Sequence, residues 1–184
     1  MTVNRLEREV IPMINIDIKG QIAQKRRITT YVRSILTYLM PRLQRDVNIH
    51  LEFLTKCDDN AYGLCYGDRD SAEIEISRTL HGDKIPMEEM MQTLAHELVH
   101  AKQFIKGDLS PVRFKYKTKD YSRTPYSRQP WELEAYRKEE KLFQTLKKKI
   151  RQKLLKNIKS ETLSKMLKLK VIVLLDVFLM LTMN

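Results

Sequence analysis

The sequence predicts an α+β fold: an N-terminal helix, a short antiparallel three-stranded sheet, two further helices and a basic helical C-terminal extension. Three observations predict it. Apolar residues recur at helical spacing in residues 21–45 and 87–106 and again beyond Pro130, they alternate singly with polar residues between 47 and 76, and turn-forming clusters separate the alternating runs. The 184 residues suit one domain, residues 1–145, followed by an extension, residues 146–184.

Taken in order, Ile22, Ile28, Val32, Ile35, Leu36, Leu39 and Leu43 define the core-facing side of the first helix. Val47, Ile49, Leu51 and Phe53 alternate as a half-buried strand. After the turn Asp58-Asp59-Asn60 comes a second strand, Ala61 to Tyr66. After Gly67-Asp68-Arg69-Asp70 comes a third, in which Ile74 and Ile76 alternate with Glu73 and Glu75. That glutamate face is either a solvated outer surface or a bias toward basic peptides. Met87, Met90, Met91, Leu94, Ala95, Leu98, Val99 and Ile105 give the next helix one apolar face, with Pro86 suited to its first turn and Gly107 to the position past its end.

Inside that helix stands His96-Glu97-Leu98-Val99-His100. Four residues make about one helical turn, so the two imidazoles share a face roughly 6 Å apart along the axis and can converge on one metal ion. Glu97 sits beside them, badly placed as a ligand but able to take a proton from a water on the metal. The pattern points to hydrolysis. Catalytic zinc normally takes three protein ligands, and the remaining histidines, His50 and His81, lie upstream, so the third ligand is expected to be a carboxylate from the next helix. The candidates lie in Pro130-Trp131-Glu132-Leu133-Glu134-Ala135-Tyr136. Glu132 and Glu134 are about 200° apart around a helix, so only one of them can face the metal.

His-Glu-Leu-Val-His followed by a Pro-Trp-Glu-x-Glu-Ala-Tyr helix start resembles the small phage-type zinc metallopeptidases within the wider gluzincin class, over about residues 87–140. The resemblance implies a zincin-like domain and a glutamate as third zinc ligand, the first residue of a Glu-x-x-Ala unit. That favours Glu132, with Glu134 as the alternative metal ligand. It further implies one Zn²⁺ held by His96, His100 and Glu132, Glu97 as general base, and a protein or peptide as substrate. Such domains can add an extended peptide to an exposed sheet edge. Those families often carry Asp or Asn after the alanine, and this chain has Tyr136 there.

Residues 106–129 make a long connection rich in Tyr, Arg, Lys, Ser and Pro, of the kind that often carries function. Tyr116, Tyr121 or Tyr126 can each donate to an oxyanion, Tyr121 and Tyr126 being the preferred candidates, or can simply pack their rings. Arg113, Arg123 and Arg128 either hold a substrate carboxylate or are solvated.

Cys57 and Cys65 are too few for a disulfide framework, and Arg5, Glu7, Arg8 and Glu9 interrupt any signal-peptide-like apolar run. A reducing, cytoplasmic setting is expected, the host-cell cytoplasm if the protein is viral. The formal charge of +11 is uneven: residues 1–136 hold 21 basic and 19 acidic side chains, and residues 137–170 hold 13 and 3. The balanced part gives no reason to expect nucleic acid as substrate, whereas the tail can bind phosphates or an anionic membrane surface. It reads as a basic amphipathic helix ending in an apolar run, residues 171–181, suited to a buried terminal helix, an oligomer contact or a peripheral or tail-type membrane anchor. No internal repeat, Gly-rich phosphate loop or Ser-centred nucleophile elbow is present. The rival reading is a metal-stabilised zincin scaffold that binds nucleic acid, membrane or a protein partner through its basic tail.

Overall fold

The computed structural model of the chain describes residues 13–110, 115–145, 148 and 152. Their order is β1 (Ile14–Gly20), α1 (Lys25–Leu39), β2 (Val47–Leu54), β3 (Gly63–Gly67), β4 (Ser71–Ser77), the short pair β5 (Thr79–Leu80) and β6 (Asp83–Lys84), and α2 (Met87–Lys106). Beyond α2 come β7 (Leu109–Ser110), β8 (Lys115–Tyr116) and β9 (Lys119–Asp120), a one-turn helix at Tyr126–Arg128, and α3, residues 130–145. The class is α+β, and among the described residues no helix is long and apolar enough to cross a membrane.

The sheet departs from the expected one. It has four strands in the order β1-β2-β4-β3, with β1–β2 and β2–β4 parallel and only β3–β4 antiparallel. The expected three antiparallel strands are therefore corrected to a mixed sheet, and the N-terminal helix is preceded by a strand. Ile14, Ile16 and Ile18 alternate with Asn15, Asp17 and Lys19, a plain period of two. Because α1 carries the chain back between β1 and β2, these strands run the same way, whereas a tight turn would have reversed them.

One face of the sheet is apolar and covered. Val47, Ile49, Leu51 and Phe53 from β2 and Ala72, Ile74 and Ile76 from β4 are buried, as are Val32, Ile35 and Leu36 on α1 and Leu94, Leu98 and Val99 on α2. α2 packs on β3, β4 and α1, which places the middle of that helix against an edge strand of the sheet. Its ends obey local rules: Glu88 and Glu89 lie in the first turn and Lys106 in the last, complementing the helix dipole. Gly107 closes the helix at φ 72, in the left-handed region open to glycine, and donates its N–H back to Phe104.

The connection from α2 to α3 is partly folded, since β7, β8 and β9 form a small antiparallel sheet within it. Chain contacts divide the protein at Phe143–Gln144 into two units. The expectations for the basic extension and its apolar run lie outside the described residues, apart from Lys148 and Gln152.

Ile49, fully buried on a central strand, is expected to cost about 2–5 kcal/mol on replacement by Ala. Ile16, only half-buried on the β1 edge, should cost clearly less, and urea unfolding of the two variants measures the difference.

Candidate metal centre

His96 and His100 sit one turn apart on α2 and are both buried, at 8% and 6% exposure. Their Nε2 atoms lie 3.1 Å from each other. α3 brings Glu132, 4% exposed, against both: its Oε2 is 3.4 Å from His96 Nε2 and its Oε1 3.5 Å from His100 Nε2. Ala135, fully buried one turn further on, provides a small side chain where α3 meets the protein interior. A tetrahedral centre with bonds of about 2.0–2.1 Å needs neighbouring donors about 3.3 Å apart, and these three separations bracket that length.

The hydrogen bonds behind the ligands decide which ring atoms face inward. His96 Nδ1 lies 2.6 Å from Glu139 Oε2, an acceptor, so this nitrogen donates. His100 Nδ1 lies 2.9 Å from Gln103 Oε1. Gln103 Nε2 donates to Trp131 O at 3.0 Å and to Glu134 Oε2 at 2.9 Å, which leaves Oε1 as the acceptor and makes His100 Nδ1 a donor as well. Both Nε2 lone pairs therefore point at each other and at the Glu132 carboxylate. Glu132 Oε2 is buried without a hydrogen-bond partner. Four electron-pair donors facing one point need a cation there, either a proton or a metal ion. The buried His96, His100 and Glu132 group can hold a metal ion.

Titration follows the same contacts. Burial works against charge on His96, but the carboxylates of Glu132 and Glu139 beside its two nitrogens outweigh it and raise its pKa to about 9. Burial likewise opposes charge on Glu132, and the two histidines overcome this and pull it down to about 2. Glu97 moves the other way: burial holds its carboxyl above the ordinary range, moderated by His100 and His96.

Of the other candidates, Glu134 is corrected as an alternative ligand. Its carboxylate accepts from Lys102 Nζ at 3.0 Å, Gln103 Nε2 at 2.9 Å and Tyr116 Oη at 2.7 Å, and pairs with Lys138, on the side of α3 turned from the two Nε2 atoms. Tyr121 is not among the residues lining the cavity beside His96 and Glu97, and its ring packs edge-on against Trp131, 5.9 Å between centroids. Tyr116 is buried and spent on Glu134. Tyr126 does lie at the centre: it lines the same cavity as His96 and Glu97, and burial and the Glu132 carboxylate raise its hydroxyl's pKa.

A cavity of about 450 Å³ opens beside the centre, lined in part by His96, Glu97, Tyr126, Tyr136 and Glu139. No protein-family model, curated protein or solved structure matches the chain. The centre is therefore read from its own geometry. Gly63 on β3 bounds the cavity, and a Cβ there would fall 2.8 Å from Thr93 Cγ2 and 3.0 Å from Glu97 Oε1, so only glycine lets the edge strand lie this close to the glutamate.

Three residues of the site were not singled out in the sequence for these roles. Glu139 lies seven residues after Glu132, two helical turns on the same face, a spacing that marks it in hindsight. Tyr136 packs edge-on against His96, 4.7 Å between centroids. Gln103, three residues after His100, supplies the side-chain amide that orients that ring.

Glu139→Gln and Gln103→Leu should each weaken Zn²⁺ affinity about 10- to 100-fold, and His96→Ala should abolish tight binding, as followed by competition with a chromogenic chelator. Proton linkage gives a second expectation. A histidine with its pKa raised stabilises the metal-free protein fully below the unfolded value of about 6.5, and that contribution is lost as pH rises through about 9. A metal ion held by these nitrogens must displace such protons, so binding at pH 7 should release protons, visible as a buffer-dependent heat in calorimetry.

Proposed function

We propose that the chain is a zinc-dependent metallopeptidase of gluzincin type with a zincin-like domain, hydrolysing peptide bonds in protein or peptide substrates. The observation that carries this reading is Glu97. It is 6% exposed, accepts no hydrogen bond from any described residue, and lines the same cavity as the His96 ring. A metal site that served only stability would have no use for a buried, unpartnered carboxylate at its open side.

His96, His100 and Glu132 would hold the ion through Nε2, Nε2 and the carboxylate. When bound, zinc supplies a Lewis acid that polarises a carbonyl and lowers the pKa of a water toward about 7. Glu97 takes the proton from the attacking water and later gives it to the leaving amine, a role that suits a carboxyl whose basicity burial has raised. Tyr126 and Tyr136 line the cavity, and Tyr126 is the better candidate to donate to the oxygen that gains negative charge. β3 is an edge strand with Gly63 against Glu97, so an extended substrate backbone can pair with its open side and pass the base at close range.

Glu97→Gln is expected to keep near-stoichiometric zinc and the fold while losing peptide cleavage by at least about 1,000-fold, and Tyr126→Phe to lower kcat by about 100-fold with zinc unchanged. Metal content by atomic absorption and cleavage of a quenched fluorescent peptide library test both. Full cleavage by Glu97→Gln would overturn the reading.

A further inference from the structure

The cavity beside the metal centre has a chemical character of its own. Among the described residues that line it are three carboxylates, Glu89, Glu97 and Glu139, and no lysine or arginine. Glu139 is engaged by His96 and Gln92. Glu97 is buried and accepts no hydrogen bond from a described residue, with His100 and His96 acting on it electrostatically. Glu89 is exposed and has no hydrogen-bond or ion-pair partner among the described residues. A divalent ion does not neutralise this set, because Glu132 and Glu97 together balance its charge and leave Glu89 and Glu139 over.

The walls are aromatic. Tyr62, Tyr126 and Tyr136 line the opening and are 48%, 60% and 53% exposed, although large aromatic side chains ordinarily bury most of their surface. Rings at an acidic opening offer their negative faces to a cation. On the Tyr62 side the chain adds Asp58 and Asp59 in the preceding turn, and the neighbouring Glu75 carboxyl is raised by partial burial and by Asp58, Glu52 and Glu73, so the negative field continues there. Arg123 and Arg128 do not line the cavity and Arg113 lies outside the described residues, so among the described residues no cation stands there to hold a substrate's terminal carboxylate.

We propose that this cavity is a subsite for a basic side chain, with Glu89 as its charge partner and Tyr62, Tyr126 and Tyr136 as its walls. The proposal rests on the metallopeptidase reading and names its substrate class: peptides carrying lysine or arginine beside the cleaved bond, cut internally and not at a free C-terminal carboxylate. Glu89 also lies in the first turn of α2, where the helix dipole favours any carboxylate, as it does at Glu88. Binding discrimination separates the two roles, since a dipole effect has no preference for one peptide over another.

The test uses the full zinc-loaded chain and alanine-based hexapeptides whose central bond is reduced and cannot be cleaved. Arginine, the neutral isostere citrulline, or glutamate is placed on either side of that bond, and fluorescence anisotropy reads the dissociation constants. The arginine peptide should bind about tenfold tighter than the citrulline peptide, with the glutamate peptide weakest. Glu89→Gln should reduce that ratio to about threefold or less, and Glu89→Lys should reverse the order of arginine and glutamate. Equal binding of arginine and citrulline peptides by the wild-type chain, or no binding of either, overturns the subsite. A chain that prefers arginine but cleaves no peptide keeps the subsite and overturns the peptidase reading. A chain that cleaves peptides without that preference does the reverse.

Discussion

The structure turns on the meeting of four electron-pair donors in a space without a positive charge of its own. Two Nε2 atoms 3.1 Å apart and the two oxygens of a nearly buried carboxylate face inward, and the donating hydrogens of both rings point away, to Glu139 and Gln103. Leaving a buried carboxylate oxygen unpartnered costs on the order of a few kcal/mol. A proton shared with His96 relieves that repulsion in part and a divalent ion relieves it more fully. Binding of a metal ion there would therefore couple to fold stability through one local arrangement.

Holding such an arrangement requires α3 to be fixed against α2 by something other than the ion. Glu134 does this. Two residues from Glu132 and on the other side of the helix, it gathers Lys102, Gln103, Tyr116 and Lys138 around one carboxylate. The Gln103 amide is common to both halves, since one end orients His100 and the other end is held by Glu134 and the Trp131 carbonyl. The Glu-x-Glu pair therefore divides its labour by helical angle, one carboxylate toward the cation and the other toward the helix that carries the histidines.

What the sequence made legible was local. The α2 helix, its Pro86 and Gly107 ends and the one-turn spacing of His96 and His100 follow from a period of 3.6, and the third ligand follows from excluding upstream histidines and from a resemblance. What escaped was relational. β1 has an alternating pattern as clear as that of β2, but nothing in either says that they pair side by side and parallel; that depends on α1 crossing over the sheet. Tyr121 and Tyr126 looked equivalent as oxyanion donors because their difference lies in what faces them, Trp131 for one and Glu132 for the other. Glu139 sits in the charged run Arg137-Lys138-Glu139-Glu140, which reads as a solvated helix surface until His96 is found beneath it.

The position of Glu139 also explains how the centre manages with a tyrosine after Ala135. Glu132 and Glu139 are seven residues apart, close to two full turns, so they project from one face of α3 about 10 Å apart along its axis. That span is long enough to admit an imidazole ring lengthwise. His96 lies in it, with its Nε2 toward Glu132 and its Nδ1 bonded to Glu139, so a single helix face grips both ends of one ligand ring. A carboxylate one turn nearer, at the Tyr136 position, would approach the ring from its flank, where the tyrosine now packs edge-on. The longer spacing releases that flank to an aromatic side chain and moves the supporting charge to the wall of the cavity. There Glu139 adds to the negative field of the cavity beside Glu97.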